Sequence, residues 1–243
     1  MEVQPGGLIP LFSGYDPRES IAYHVLIQSV LQTSSVPVCD IPLHTSMLKN
    51  FDGQQDGTNA FIYSRFLVPS LMNYEGWALY CDSDMLFRDD IAKLWALRDD
   101  RYAVMVVKHD YRTRFKLKAI GTAMEARNDD YPRKNWSSMV LWNCGHPSNR
   151  IVTTEFASQA GGKTLHRFNW LNDDEIGEIP AKWNHLVGEY PYDANAKLVH
   201  FTLGSPCFDY YRHCDYSDEW RSYKEQVERA DCLRLHKIGG AHV

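Results

Sequence analysis

Trp77-Ala78-Leu79-Tyr80-Cys81-Asp82-Ser83-Asp84-Met85-Leu86-Phe87 is the stretch on which the fold turns. Five apolar residues run together and then stop at two carboxylates separated by one serine. A short unbroken apolar run is the pattern of a strand buried on both faces, and such strands belong to layered α/β architectures. Carboxylates at its C-terminal end lie where open α/β sheets place their ligands. In an extended chain, residues i and i+2 share a face. Asp82 and Asp84 are therefore expected to converge on one hard cation, Mn²⁺ or Mg²⁺. A cation held there bridges a diphosphate and stabilises it as it leaves. At ordinary charge content, roughly one D-x-D arises by chance per chain, so placement carries more than the motif. The competing reading is a solvated turn ahead of the next helix.

Upstream, residues 8–12 read as a first strand and Ser13-Gly14-Tyr15 as a turn. Asp16-Pro17-Arg18-Glu19 then starts a helix: Asp16 caps free N–H groups, Pro17 fits the first helical position and Glu19 completes a capping box. Ile21, Ala22, Val25, Leu26, Ser29 and Val30 follow at helical spacing. Residues 36–43 read as a second strand, so the chain opens as β-α-β. A polar loop with Gly53 and Gly57 leads to residues 59–73, expected to be helical with a break near Pro69. Downstream, residues 102–107, 138–143 and 197–201 read as strands and 148–160 as a helix. Ser217 is expected to cap a last helix ending near Arg229. Residues 110–134 are basic and polar, the pattern of an excursion or loop. Alternating strands and helices argue for α/β layering.

Bulk properties narrow the function classes. The 243 residues suit one large α/β domain. A net charge of -5 gives no footing for a nucleic-acid or anionic-membrane partner. No apolar run approaches the roughly 20 residues of a transmembrane segment. The first ten residues lack a basic start and an apolar signal core, and the expected location is cytoplasmic. The six cysteines form no C-x-x-C pair, so buried free thiols are expected rather than a zinc site.

Three further groups carry possible chemistry. His200 ends the apolar run Leu198-Val199; it reads as a structural histidine or as a third ligand favouring Mn²⁺. Asn172-Asp173-Asp174-Glu175 reads as a solvated helix start. Alternatively, because Trp170, Leu171, Ile176, Ile179 and Trp183 crowd it, it reads as a carboxylate turned toward a sugar. The turn Ser13-Gly14-Tyr15-Asp16 offers backbone N–H groups and a ring to a nucleotide, or is a plain tight turn. Gly161-Gly162-Lys163-Thr164 is a decoy: the first glycine of a phosphate loop would fall at Ala157, and a helix-ending glycine accounts for the sequence better.

Taken in order over residues 8–206, these segments resemble glycosyltransferase family 8 and related bacterial enzymes of GT-A fold. The D-x-D segment at residues 80–87 is the most specific match. Gly14-Tyr15-Asp16-Pro17-Arg18-Glu19 resembles the nucleotide-binding opening, and Phe61-Ile62-Tyr63-Ser64-Arg65-Phe66 the helix whose basic residue reaches the donor. Residues 137–143 resemble the strand lining the donor sugar. Leu171-Asn172-Asp173-Asp174, with Pro180-Ala181-Lys182-Trp183-Asn184, resembles the acidic loop and its trailing Trp-Asn. Val199-His200-Phe201 before Gly204 resembles the third ligand and a diphosphate-binding turn.

The resemblance implies a GT-A fold, a Rossmann-like mixed central sheet flanked by helices, in a single domain over 1–243. Its nucleotide-binding half would be 1–84, its donor-sugar and acceptor half 85–206, and its helical tail 207–243. It further implies a UDP-sugar donor, Mn²⁺ or Mg²⁺, a hydroxyl acceptor such as a glycan or lipid-linked sugar, and retention at the anomeric carbon. Carried over by residue, Asp82, Asp84 and His200 bind metal. Ser13, Gly14, Tyr15, Asp16, Arg65, Ser83 and Gly204 lie at the nucleotide or donor, and Asp173 or Asp174 approaches the sugar. Two departures stand out. The family usually has a shorter spacing from its histidine to the glycine, followed by Lys-Pro-Trp, whereas here His200-Phe201-Thr202-Leu203-Gly204 precedes Ser205-Pro206-Cys207 and the lysine is missing; Lys197 and Arg212 are the candidate substitutes. Asn172 and Asp173 also stand where the family more often has Asp and Gln. The competing functions are a non-catalytic nucleotide-sugar or glycan-binding relative, and a sugar nucleotidyltransferase. The latter would be expected to carry a basic, glycine-rich loop after strand one, and Ser13-Gly14-Tyr15 is poor in both.

Overall fold

The computed structural model describes residues 7–44 and 59–229. The loop with Gly53 and Gly57, Cys232 and the chain beyond 229 lie outside the described residues. Strand β1 (Ile9–Gly14) leads through a 3₁₀ turn (Pro17–Glu19) into α1 (Ser20–Thr33) and then β2 (Val38–Leu43). Asp16 caps the turn, accepting from the Arg18 N–H at 3.0 Å. Glu19 does not complete a box; its carboxyl is buried and accepts from Ser205 Oγ at 3.4 Å.

The expected helix over 59–73 shrinks to a 3₁₀ turn (Ser64–Leu67) and a short α2 (Val68–Leu71). Pro69 is tolerated only in a helix's first turn, so the α-helix begins beside it. Strand β3 (Trp77–Cys81) runs into the Asp82-Ser83-Asp84 turn, followed by β4 (Met85–Phe87), α3 (Ile91–Trp95) and β5 (Val104–Val106). The basic excursion forms a small hairpin of β6 (Leu117–Lys118) and β7 (Ala126–Arg127) before β8 (Met139–Asn143).

The expected helix over 148–160 splits into a 3₁₀ turn (Pro147–Ile151) and α4 (Thr154–Gln159), because Thr153 Oγ1 caps the second piece by accepting from the Phe156 N–H. Gly161, at φ 63°, ends α4 as the helix-ending reading expects, and α5 (Gly161–His166) starts at once. Then come β9 (Ile176–Glu178), β10 (His185–Leu186), β11 (Leu198–His200) and α6 (Ser217–Glu228). Tyr216, left-handed at φ 61°, occupies the N-cap of α6, and Ser217 is its first residue rather than its cap.

The main sheet has the order β2-β1-β3-β8-β5-β9 and runs through both expected halves of the chain. Strands β2, β1 and β3 are parallel; β8 is antiparallel to β3 and to β5, and β9 is parallel to β5. The fold is thus the expected α/β class with a mixed sheet. Period-two alternation divides the core between the two faces of the sheet. Ile9, Leu11, Leu79, Cys81, Met105 and Leu141 pack with Leu26 and Val30 of α1. Phe12, Tyr80, Val104, Val140 and Trp142 pack with Phe61, Phe66 and Phe168.

A second sheet, β10-β11-β4, grows directly from the D-x-D turn. Its antiparallel register sets His200 opposite Met85. Because β2 and β3 flank β1 on opposite sides, the strand order reverses at β1, and the D-x-D turn opens at the crevice where such sheets bind ligands. The five cysteines among the described residues are free; Cys81 and Cys144 are buried, and Cys39 is exposed against expectation. No helix among the described residues is long and apolar enough to cross a membrane.

Candidate active site

Asp82, Asp84 and His200 each offer a ligand atom, and these atoms lie within 4.8 Å of one another. The carboxylates converge through a turn rather than through an extended strand, but the result matches the expectation from spacing. Backbone bonds fix the turn: the Asp82 N–H donates to Ser138 O at 2.9 Å, and the Phe201 N–H donates to Asp84 O at 2.9 Å. The register of β4 against β11 then brings His200 Nε2 to 3.4 Å from Asp84 Oδ1.

The tautomer of His200 follows from its other nitrogen. Asn184 Nδ2 donates to Ser138 Oγ at 2.9 Å, and Ser138 Oγ donates to Asn135 O at 2.7 Å. Asn184 Oδ1 therefore faces His200 Nδ1, 3.1 Å away, and accepts its proton. That leaves the Nε2 lone pair directed at Asp84, the arrangement that suits a metal-ligating imidazole. Asp84 Oδ1 is buried with no hydrogen-bond partner. An orphaned buried carboxylate oxygen is costly, and a divalent cation would satisfy it. Two oxygen donors and one imidazole fit Mn²⁺ well.

Asp82 is held from behind. Arg65, buried, places Nη1 at 2.9 and 3.2 Å from the two carboxylate oxygens and donates to Ser137 O at 3.0 Å. Tyr80 OH donates to Asp82 Oδ1 at 2.8 Å. Burial raises the Asp82 pKa, and the Arg65 charge opposes that shift. Burial and then Asp84 push the Glu19 carboxyl well above its ordinary value.

The triad opens on a cavity of about 590 Å³ lined also by Arg65, Lys118, Ser137 and His166. Ser137 Oγ lies 2.7 Å from His166 Nδ1, and burial, then Arg65 and Lys118, hold the imidazole well below its usual range. Burial likewise lowers the Lys118 ammonium. Gly204 lines an adjoining recess of about 50 Å³ with Glu19, Asp84 and Lys118.

The other expected residues fall elsewhere. Ser83 is fully buried between the two carboxylates. Ser13 Oγ donates to Asp40, which also accepts from Tyr23 OH at 2.6 Å. The Tyr15 ring stands edge-on to Tyr23, centroids 5.3 Å apart. Asp16 is spent on Arg18 and on the Ala60 N–H, 2.9 Å away. None of Ser13, Gly14, Tyr15 and Asp16 lines the cavity at the triad.

Asp173 and Asp174 are exposed, and Asp173 pairs with Arg133. The apolar flanks do not turn these carboxylates inward. Asn172 and Glu175 close a capping box that directs Leu171 and Ile176 into the core and leaves Asp173 and Asp174 outside the cavity lining. Of the candidate lysine substitutes, Lys197 is bound to Asp89 at 2.6 Å, and Arg212 is exposed.

Comparison with known proteins meets this geometry. A family model described as glycosyl transferase family 8 matches residues 23–205. The chain belongs to glycosyl transferase family 8. It is a glycosyltransferase, and family 8 is the frame for its site. A curated relative named Protein CDI, from Arabidopsis thaliana, is 43% identical over 230 residues, covering 90% of this family 8 chain and 87% of the relative.

Among solved structures, the apo bifunctional glycosyltransferase WbbM superposes with a TM-score of 0.65 at 12% identity, over 98% of this chain and 52% of WbbM. The chain thus spans about half the length of that protein. GlyE of Streptococcus pneumoniae gives 0.60 at 11% identity, over 96% of this chain and 65% of GlyE. The galactosyltransferase LgtC gives 0.57 at 13% identity, over 95% of this chain and all of LgtC. At such identities these likenesses speak for the GT-A fold alone.

Sequence reasoning missed Asn184 as the partner that orients His200, and His166 and Lys118 as cavity residues. The Trp183-Asn184 pair was visible as a motif, but its contact with His200 is long-range. Lys118 sat inside a basic excursion that gave no local pattern to read.

Proposed function

We propose that this chain is a metal-dependent transferase that moves a sugar from a UDP-sugar donor to a hydroxyl-bearing acceptor with retention at the anomeric carbon. The observation that supports this most is the convergence of Asp82, Asp84 and His200 in the lining of the cavity, with Asp84 Oδ1 lacking a hydrogen-bond partner. In this reading those three residues hold Mn²⁺, which supplies charge stabilisation to the departing diphosphate. Arg65 fixes Asp82 in place and lends positive charge to the same end of the cavity. Asn184 keeps His200 in its ligating tautomer. Ser137 and His166 border the space where a donor sugar would lie. The LgtC structure is a complex with donor and acceptor sugar analogs, and the same two kinds of ligand are proposed for this cavity. A reaction with leaving phosphate and acceptor on one face of the sugar needs no protein nucleophile, consistent with Asp173 and Asp174 lying outside the cavity.

The test is UDP release from a panel of UDP-sugars, with and without Mn²⁺. Release that requires Mn²⁺ and disappears in Asp84→Ala is expected. No release from any common UDP-sugar with metal present would count against transfer. The lack of a lysine after Gly204 favours one second reading, a relative that binds nucleotide sugar without turnover; tight UDP binding with no release would mark it.

A further inference from the structure

The turn after His200 carries no cation of its own. Residues 201–207 are Phe-Thr-Leu-Gly-Ser-Pro-Cys, and Lys197 and Arg212 are engaged or exposed elsewhere. A charge reaches this place from a different part of the chain. Lys118, on β6, lines both the main cavity beside Asp82 and Asp84 and the recess formed by Glu19, Asp84 and Gly204. Among the neighbouring cations, Arg65 is engaged by Asp82 at 2.9 Å, while Arg127 and Lys134 make looser pairs with Asp129 and Asp130, at 3.5 and 3.7 Å, and do not line the recess beside Gly204. Lys118 forms no ion pair among the described residues. Lys163 and Arg167 also line the main cavity but do not reach the recess beside Gly204.

The chain pins this lysine in position. The Ala119 N–H donates to Leu203 O at 2.6 Å, and the Ile120 N–H donates to Tyr211 OH at 3.1 Å. The Tyr211 ring in turn lies against Gly204, where a Cβ would collide with it. Ala119 is left-handed at φ 51° and buried. A non-glycine residue holds that conformation only when its surroundings impose it. The β6–β7 hairpin is thus fastened to the turn that follows the third metal-ligand candidate, with Lys118 directed at the space between that turn and Asp84.

We propose that Lys118, delivered by the β6–β7 hairpin, is the cation that binds the donor diphosphate beside the metal. This rests on the reading that the site takes a nucleoside diphosphate. An ammonium there meets phosphate oxygens as a charge-assisted hydrogen-bond donor, while the neighbouring Arg65 is already engaged by Asp82.

The test is calorimetric titration of two probes, Mn²⁺ alone and UDP with saturating Mn²⁺, into wild type, Lys118→Ala and Lys118→Arg. Thermal melts confirm that each variant is folded. Lys118→Ala is expected to weaken UDP about 10- to 100-fold while leaving Mn²⁺ binding unchanged or tighter, since a nearby positive charge has been removed. Lys118→Arg is expected to recover part of the loss. UDP binding by Lys118→Ala within about twofold of wild type, or a parallel loss of Mn²⁺ binding, would overturn the assignment and leave the wider functional reading intact. No UDP binding by wild type would remove both.

Discussion

His200 and Asn184 show how much of this site depends on one hydrogen bond. An imidazole can ligate only through a nitrogen that is free of its proton, and the proton's place is set by whatever faces the other nitrogen. Asn184, locked by Ser138, faces Nδ1. Asn184→Ala removes that acceptor and leaves the ring free to rotate and to change tautomer. The expected result is Mn²⁺ affinity lower by roughly 10- to 100-fold in a direct metal titration, with the fold retained. Unchanged affinity would show that His200 is held by packing alone. Asp82 and His200 stood out in the sequence because each ends an apolar run, at Cys81 and at Val199, and Asp84 because it stands two residues beyond Asp82. The role of Asn184 was not legible, since the Trp-Asn motif does not tell that its partner is a histidine 16 positions away. Asp173 and Asp174 misled for a physical reason: the apolar side chains around them belong to the core, and a capping box needs only its first and last residues turned back.

At the scale of elements, the site is built where strands stop. Strand β1 ends at Gly14, against which the Phe61 ring packs so closely that an added Cβ would stand 2.5 Å from the ring. That contact joins the first strand to the segment carrying Arg65. Gly14→Ala would force the ring aside, at about 1–3 kcal/mol by analogy with other overpacked cores. A lowered midpoint in urea with an unchanged slope is the expected readout; wild-type stability would mean that the ring moves freely. Helix α1 and the strands β1, β2, β3, β5 and β8 of the main sheet were readable, because burial on one stripe leaves a period and burial on two faces leaves an unbroken apolar run; β9, three residues long behind the acidic cluster, was not. The segment over 59–73 and the helix over 148–160 came out shorter than expected. Their apolar spacing was helical, but Pro69 and the Thr153 cap each restart the helix within the run. The β6–β7 hairpin was not readable, because two-residue strands leave no period.

For the whole molecule, one crevice gathers residues from four distant parts of the chain: Arg65, the D-x-D turn, the β6–β7 hairpin and β11. The α/β class and the family were legible in the order of its segments, and solved structures at 10–13% identity share its fold. The central claim is that this crevice binds a nucleoside diphosphate through a metal. Its most direct test is calorimetric titration of UDP into the protein with Mn²⁺, then with excess chelator, and again into Asp84→Ala. Binding that needs Mn²⁺ and is lost in Asp84→Ala is the predicted result. UDP binding that survives both chelation and the substitution, or no binding under any condition, would contradict it.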